Sequence, residues 1–231
     1  MSRAPEIYQT DLYSMFKEIG ETAYRDIIAF YENHEVSFLQ LDHFELLEVQ
    51  ISYATALFEV GRYHEFLALN DELLESVIFH NIKAFKGEDI FEKLIFKKAA
   101  AHYQLSELDV CERVLWELIR MNPNNTVASY LLKRCRIRKQ PRFLLISKTI
   151  SIAFFLISAG IIAIELLIIR PFFEDYSSTV EIVRTAVFIC GIIVLVSADG
   201  WHRVKTFHYV NRTIEEFKRK GVTSGREKTF T

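Results

Sequence analysis

The 231-residue sequence predicts an all-α chain in two parts, a helical solenoid domain followed by two transmembrane helices, and three observations carry that reading. Thr149 to Ile169 and Val180 to Ala198 are apolar stretches close to the roughly 20 residues an α-helix needs to cross a hydrocarbon core of about 30 Å. Upstream, apolar residues recur at helical spacing, and no stretch alternates in the manner of a strand. The upstream helices also pair and repeat. An offset of 45 residues sets Phe58 to Tyr63 against Tyr103 to Leu108 and matches Ala54 with Ala99, Ala56 with Ala101 and Leu73 with Leu118.

Charge places the chain relative to a membrane. The 28 basic and 30 acidic residues nearly balance, which gives no reason to expect nucleic acid as a partner. Their distribution is uneven, however. Between Lys133 and Lys148 stand seven basic residues (Lys133, Arg134, Arg136, Arg138, Lys139, Arg142 and Lys148) and no acidic one. Arg203, Lys205, Arg212, Lys218, Arg219, Lys220, Arg226 and Lys228 follow the second stretch, whereas the connection between the two carries Glu174 and Asp175. The positive-inside rule then puts both termini in the cytoplasm and the connection outside. The expected location is an integral membrane, a bacterial inner membrane, crossed twice. Met1 to Phe16 has no apolar signal region, so the first span is expected to act as the targeting signal. Cys111, Cys135 and Cys190 lack disulfide or metal spacing, as in a reducing compartment.

Taken in order, Ile7 to about Asn33 is periodic through Leu12, Phe16, Ile19, Ala23, Ile27 and Phe30, and Gly20 leaves open one long helix or a hairpin. A loop from His34 to Asp42 precedes helices from Phe44 to Val60, closed by Gly61, and from His64 to about Phe79. His80 to Asp89 reads as a loop. Helices resume from Ile90 to Leu105 and from Leu108 to Met121, Asn122 to Asn125 stop the chain, and Thr126 opens a helix that carries basic residues toward the membrane. The division expected is a solenoid domain over 1–132, a basic juxtamembrane helix over 133–148, a transmembrane hairpin over 149–199 and a basic cytosolic tail over 200–231.

The paired helices resemble the tetratricopeptide repeat (TPR), whose period is about 34 residues. The better copy, from about Glu92 to Asn125, carries the resemblance at Ala99, Tyr103, Cys111, Leu115, Leu118 and Pro123; the looser one, from about Leu47 to Leu74, carries it at Ala54, Phe58, Gly61 and Phe66. The loop from His80 to Asp89 accounts for the longer period. The resemblance implies a solenoid whose concave face is lined by the first helix of each pair. It places Glu48, Ile51, Thr55, Phe58 and Glu59 of one copy, and Lys93, Phe96, Ala100, Tyr103 and Gln104 of the next, on a groove for a cytosolic protein or peptide. Core packing is the competing reading for Phe58, Phe96 and Tyr103.

Catalytic chemistry has little to stand on. The chain lacks a phosphate-cradling glycine loop, an HExxH and a nucleophile elbow, so no enzyme activity, cofactor or metal is expected. Arg203 and His208 have the Arg-x4-His spacing of HEPN-type ribonucleases. Val204 stands where that family carries a polar residue, and the segment abuts a span, so it reads as a basic interfacial helix anchored by Trp201 and Tyr209. Two function classes remain. One is a membrane-tethered module that binds a cytosolic partner, with membrane lipid as a second contact; the other is a hairpin that self-associates into a pore under control of the soluble domain.

Within the spans, Ser151, Ser158 and Glu165 share one helix face, and Arg184, Gly191 and Ala198 share another. The second span carries Glu181 and Arg184 near its start and reaches full length only if the guanidinium snorkels or finds a partner. An antiparallel hairpin opposes Glu165 to Arg184, Ser158 to Gly191 and Ser151 to Ala198, giving an intramembrane ion pair beside a close small-residue contact. The rival reading has both charges line a path through an oligomer. In a Cys-free variant, cysteines placed at Ser2 and Thr231 should resist an impermeant thiol reagent in intact cells while one at Ser177 reacts. Labelling of either terminus overturns this topology.

Overall fold

The computed structural model describes residues 6–82, 84, 85, 87–139, 141–169 and 177–227, almost all of them helical. The chain divides into two compact units, residues 1–132 and 133–231. The first unit is built from α1 (Glu6–Glu18), α2 (Tyr24–Phe38), α3 (His43–Val60), α4 (Tyr63–Phe79), α5 (Ile90–Gln104) and α6 (Leu108–Met121), and α7 (Thr126–Arg138) runs across the boundary. Each of α2 to α6 packs on its sequence neighbour.

The N-terminal periodic segment is a hairpin: α1 and α2 are separated by a turn in which the Ala23 amide donates to the Gly20 carbonyl at 2.8 Å. The loop expected from His34 is mostly helix. α2 continues through a kink at His34 (φ −125°, ψ 16°) to Phe38, and Nδ1–H of His34 donates to the Phe30 carbonyl at 2.9 Å. Aromatic burial drives the extension. Phe38 is fully buried, stacks on Tyr31 at 5.4 Å and meets Phe16 edge-on at 5.8 Å. An aromatic ring taken out of water outweighs the small propensity penalties of a His-Glu-Val-Ser run.

The expected loop over residues 80–89 holds a minimal antiparallel pair, β1 (Ala84–Phe85) with β2 (Glu88–Asp89). Gly87 sits between them at φ 82°, where a side chain is strained. Two residues per strand are too few to register as alternation. Asp89 then caps α5, its carboxylate accepting from the Glu92 amide at 3.0 Å.

The 45-residue offset is present in three dimensions. α4 begins at Tyr63 and α6 at Leu108, and the matched residues Ala54 and Ala99, Ala56 and Ala101, Phe66 and Cys111, and Leu73 and Leu118 are all buried. The turns match bond for bond. Gly61 (φ 90°) and Ser106 (φ 64°) both adopt the left-handed conformation. The amides that follow them, Arg62 and Glu107, donate to the Leu57 and His102 carbonyls, each at 2.9 Å. This is the bond pattern that closes a helix C-terminus through a left-handed residue.

One matched pair breaks the equivalence. Asn70 stands where the second copy has the buried Leu115, and both its amide nitrogen and its amide oxygen are buried without a hydrogen-bond partner among the described residues. A buried polar group left unpaired costs about 1 to 3 kcal/mol. Asn70→Leu is therefore expected to raise the denaturation midpoint of the soluble domain, read by circular dichroism on residues 1–140. A lower midpoint would show that the carboxamide is satisfied.

The second unit holds α8 (Arg142–Ile164), a π-helical turn (Glu165–Ile169) and α9 (Ser177–Glu227). The basic segment 133–148 is not one helix. α7 ends at Arg138 and α8 starts after Pro141, whose φ −70° and ψ 154° are extended; proline lacks an amide proton and disfavours a helical residue before it. α9 does not stop at the end of the apolar stretch either. Its 51 residues span roughly 75 Å at 1.5 Å per residue, and the basic tail is its continuation as far as Glu227. Glu174 and Asp175 of the connection lie outside the described residues, as does Thr231.

Both apolar helices are long and apolar enough to cross a membrane. Leu156, Ile157, Leu167, Ile182, Ile193 and Val196 are exposed along them, a larger apolar surface than soluble monomers present. Ion-pair, aromatic and hydrogen-bond contacts between the two descend in number along α9 as they rise along α8, so the helices run antiparallel.

Candidate functional site

A cleft of about 400 Å³ opens in the first unit, and Glu48, Ile51 and Thr55 of α3 meet Lys93 of α5 along its walls. Their spacing explains the convergence. Positions 48, 51 and 55 follow one stripe of α3 at three- and four-residue steps, and α5 is the matching helix of the next pair. The remaining wall is Phe16, Lys17, Ile19 and Glu21 of the first helix and its turn, Ile27 of α2 and Ser52 of α3.

The polar chemistry of the cleft centres on Glu48. Tyr13 Oη–H donates to Glu48 Oε2 at 2.6 Å, and Lys17 Nζ lies 3.5 Å from Oε1 and 4.8 Å from the Tyr13 ring centroid. Burial, and then the bond to Glu48, push the Tyr13 phenol above its ordinary range. The bond to Tyr13, and then the Glu48 charge, raise the Lys17 ammonium. Glu48 is thus a carboxylate held in place from α1. Tyr13 and Lys17 have no role in the reading of the sequence, although both stand one position after the apolar stripe residues Leu12 and Phe16, four apart on a single face.

The other groove residues lie elsewhere. Phe58 is half-buried against Tyr63 and Phe66, with centroids at 5.6 and 5.4 Å, which is the core-packing alternative. Glu59 meets Lys97 Nζ at 3.1 Å, and Lys97 also covers the Phe58 ring at 4.8 Å. Phe96, Ala100 and Tyr103 are half-buried and Gln104 is exposed; none is among the residues lining the cleft. A separate clasp joins α2 to the α3–α4 turn, where Arg62 bonds Glu65 and reaches Glu32 Oε1 at 2.7 Å. Its guanidinium holds the Glu65 carboxyl below the usual range. Tyr53 donates to Glu32 at 3.3 Å, and burial pushes its phenol up to about 12.

Between the apolar helices, Arg184 Nη1 donates to Glu165 Oε2 at 2.9 Å, and Arg184 Nη2 lies 3.7 Å from Glu181. Glu165 opens the π-helical turn and is 1% exposed. Ser151 and Ser158 are buried on the same face, and Gly191 is buried on α9. The expected opposition of Ser158 to Gly191 needs correction. A Cβ at Gly191 would meet Phe155 Cε1 at 3.0 Å and Phe154 Cβ at 3.1 Å, a shift of about one helical turn. Likewise, Ser147 Oγ–H donates to the Val194 carbonyl at 3.3 Å, and Ala198 is half-buried. Glu165 and Arg184 meet at the tips of long side chains, so their pairing tolerates a shift of about one turn in the backbone register.

No family model, curated protein or solved structure matches the chain. Among the described residues, no group of three or more His, Cys, Asp or Glu could hold a metal ion. Arg203 Nε bonds Asp199 Oδ2 at 2.9 Å on the exposed side of α9, so the arginine of the Arg-x4-His spacing is engaged in an i, i+4 pair. Removing one member of a buried ion pair typically costs about 3 to 5 kcal/mol. Glu165→Arg alone is therefore expected to reduce accumulation of the chain in membranes several-fold on immunoblots, and adding Arg184→Glu to restore much of it. Failure of the double variant to recover would show that the pair does not hold the hairpin.

Proposed function

We propose that the chain is a membrane-anchored interaction module. A TPR-like domain on the cytosolic side binds a protein or peptide through the cleft of Glu48, Ile51, Thr55 and Lys93, and a two-pass hairpin with both termini in the cytoplasm holds it at the bilayer. The observation that carries the reading is the convergence of those four residues, from the first helices of two matched pairs, on one cleft. The anchor role is favoured over a pore by the pairing of the buried Glu165 with Arg184 of the same chain. A conducting path would need such groups turned to a lumen.

The module acts without catalysis: its chemistry is recognition by a mixed apolar and polar cleft with a pre-set carboxylate. Thr55→Arg and Lys93→Glu change residues at the cleft wall without emptying the core. Each is expected to cut the partner recovered by affinity purification from gently solubilised membranes by tenfold or more, a loss of about 1.4 kcal/mol, with the helical spectrum unchanged. An identical set of recovered proteins from both variants and the unsubstituted chain would refute the cleft as the binding surface.

A further inference from the structure

At the end of the hairpin that carries the basic flanks, α8 and α9 leave a groove of about 380 Å³ between them, lined by Leu144, Lys148, Leu195, Val196, Asp199 and Gly200 among others. It is open at Gly200, where an added Cβ would meet nothing within 4 Å. The walls are mainly aliphatic, and Lys148 brings an ammonium to them. The carboxylate of the lining, Asp199, accepts from Arg203 Nε at 2.9 Å. The flank adjoining the groove is the segment with seven basic residues and no acidic one. Two of its cations are held over aromatic rings of α9, Lys133 over Phe207 at 5.2 Å and Arg136 over Tyr209 at 4.2 Å. An apolar slot at the end of a span, with excess positive charge beside it, is complementary to a lipid that has an anionic headgroup.

We propose that this groove holds one acyl chain of an anionic phospholipid, with its phosphate on the Lys148 ammonium. The proposal rests on the membrane-anchored reading, and the test separates the two. The sequence has two tryptophans, and Trp201, beside Gly200, is exposed. With Trp116→Phe in the full chain, Trp201 becomes the only reporter in vesicles of equal phosphatidylcholine and phosphatidylglycerol, one or the other brominated on its chains. Brominated phosphatidylglycerol is expected to quench Trp201 with about fivefold preference, the factor expected for one basic residue at a membrane surface. Lys148→Gln should remove most of that preference, and so should Gly200→Leu, which fills the groove without changing charge. Lys205→Gln, an equal charge loss on an exposed lysine, should leave it.

Equal quenching by the two lipids overturns the proposal and leaves the anchor standing. Absence of quenching by either overturns both. A loss with Lys205→Gln as large as with Lys148→Gln makes the attraction diffuse and removes the groove from it. The same preference, read as the ratio of the two lipids retained by the unsubstituted chain in native mass spectrometry, keeps the test independent of the Trp116 substitution; a ratio near one overturns the proposal.

Discussion

A carboxylate inside an apolar helix must find a cation, and much of the second unit follows from that requirement. Glu165 is almost completely buried and takes Arg184 Nη1 at 2.9 Å. Such a pair is a modest source of net stability, because desolvating both ions offsets most of their attraction, but losing one partner is costly. Its effect is therefore selective: of the ways two apolar helices could slide or rotate, it favours those that bring these two side chains together. The faces that meet are set accordingly, with Ser151, Ser158 and Gly191 turned inward and the large aliphatic residues outward. Phe155 also meets Phe188 of α9 at 5.4 Å, at the edge of the seam.

The soluble unit follows a different rule, repetition of one local solution. Two turns of unlike sequence, around Gly61 and Ser106, close with the same left-handed residue and the same bonds to the helix before them. Serine in that conformation is strained by about 1 kcal/mol relative to glycine. The second copy tolerates the strain because the helices on either side bury Ala99, Ala101, Cys111 and Leu118. Packing has thus kept the geometry where the favourable turn residue is missing. Asn70 is the converse case, in which the backbone geometry is kept and the packing chemistry is not.

Helix positions were legible because each rests on a local signal: Gly61, the Asn122–Asn125 stop and the start of α4 within one residue. The offset of 45 was legible for the same reason, since small residues recur where helices approach closely. The signal failed where a distant contact decides. Phe38 pulls residues 34 to 38 into helix through rings on α1 and α2, and periodicity within the segment carries no trace of that. The pairing of Glu165 with Arg184 could be read from charge alone, because two opposite charges in apolar stretches have few other partners. The register of the small residues could not, because the pair joins through the tips of two long side chains, and the packing of Phe154 and Phe155 against Gly191 decides how the backbones stack.

The side chains of the cleft constrain the ligand that the proposed module would accept. Of the cleft's two acidic residues, Glu21 and Glu48, the second is already bonded by Tyr13 and faced by Lys17, so a cationic group meeting Glu48 would have to displace an existing partner. A ligand that offers a hydrogen-bond donor to the remaining lone pairs of Glu48, and apolar atoms to Phe16, Ile19 and Ile51, would keep those contacts and add burial. At about 400 Å³ the space suits a few side chains rather than a whole helix. For the proposed binding role, the geometry therefore favours an extended or turn-forming peptide whose side chains enter the cleft singly. Specificity would come less from charge attraction than from leaving the Tyr13 to Glu48 bond intact, since any ligand that breaks it must first overcome the cost of unpairing a partly buried carboxylate.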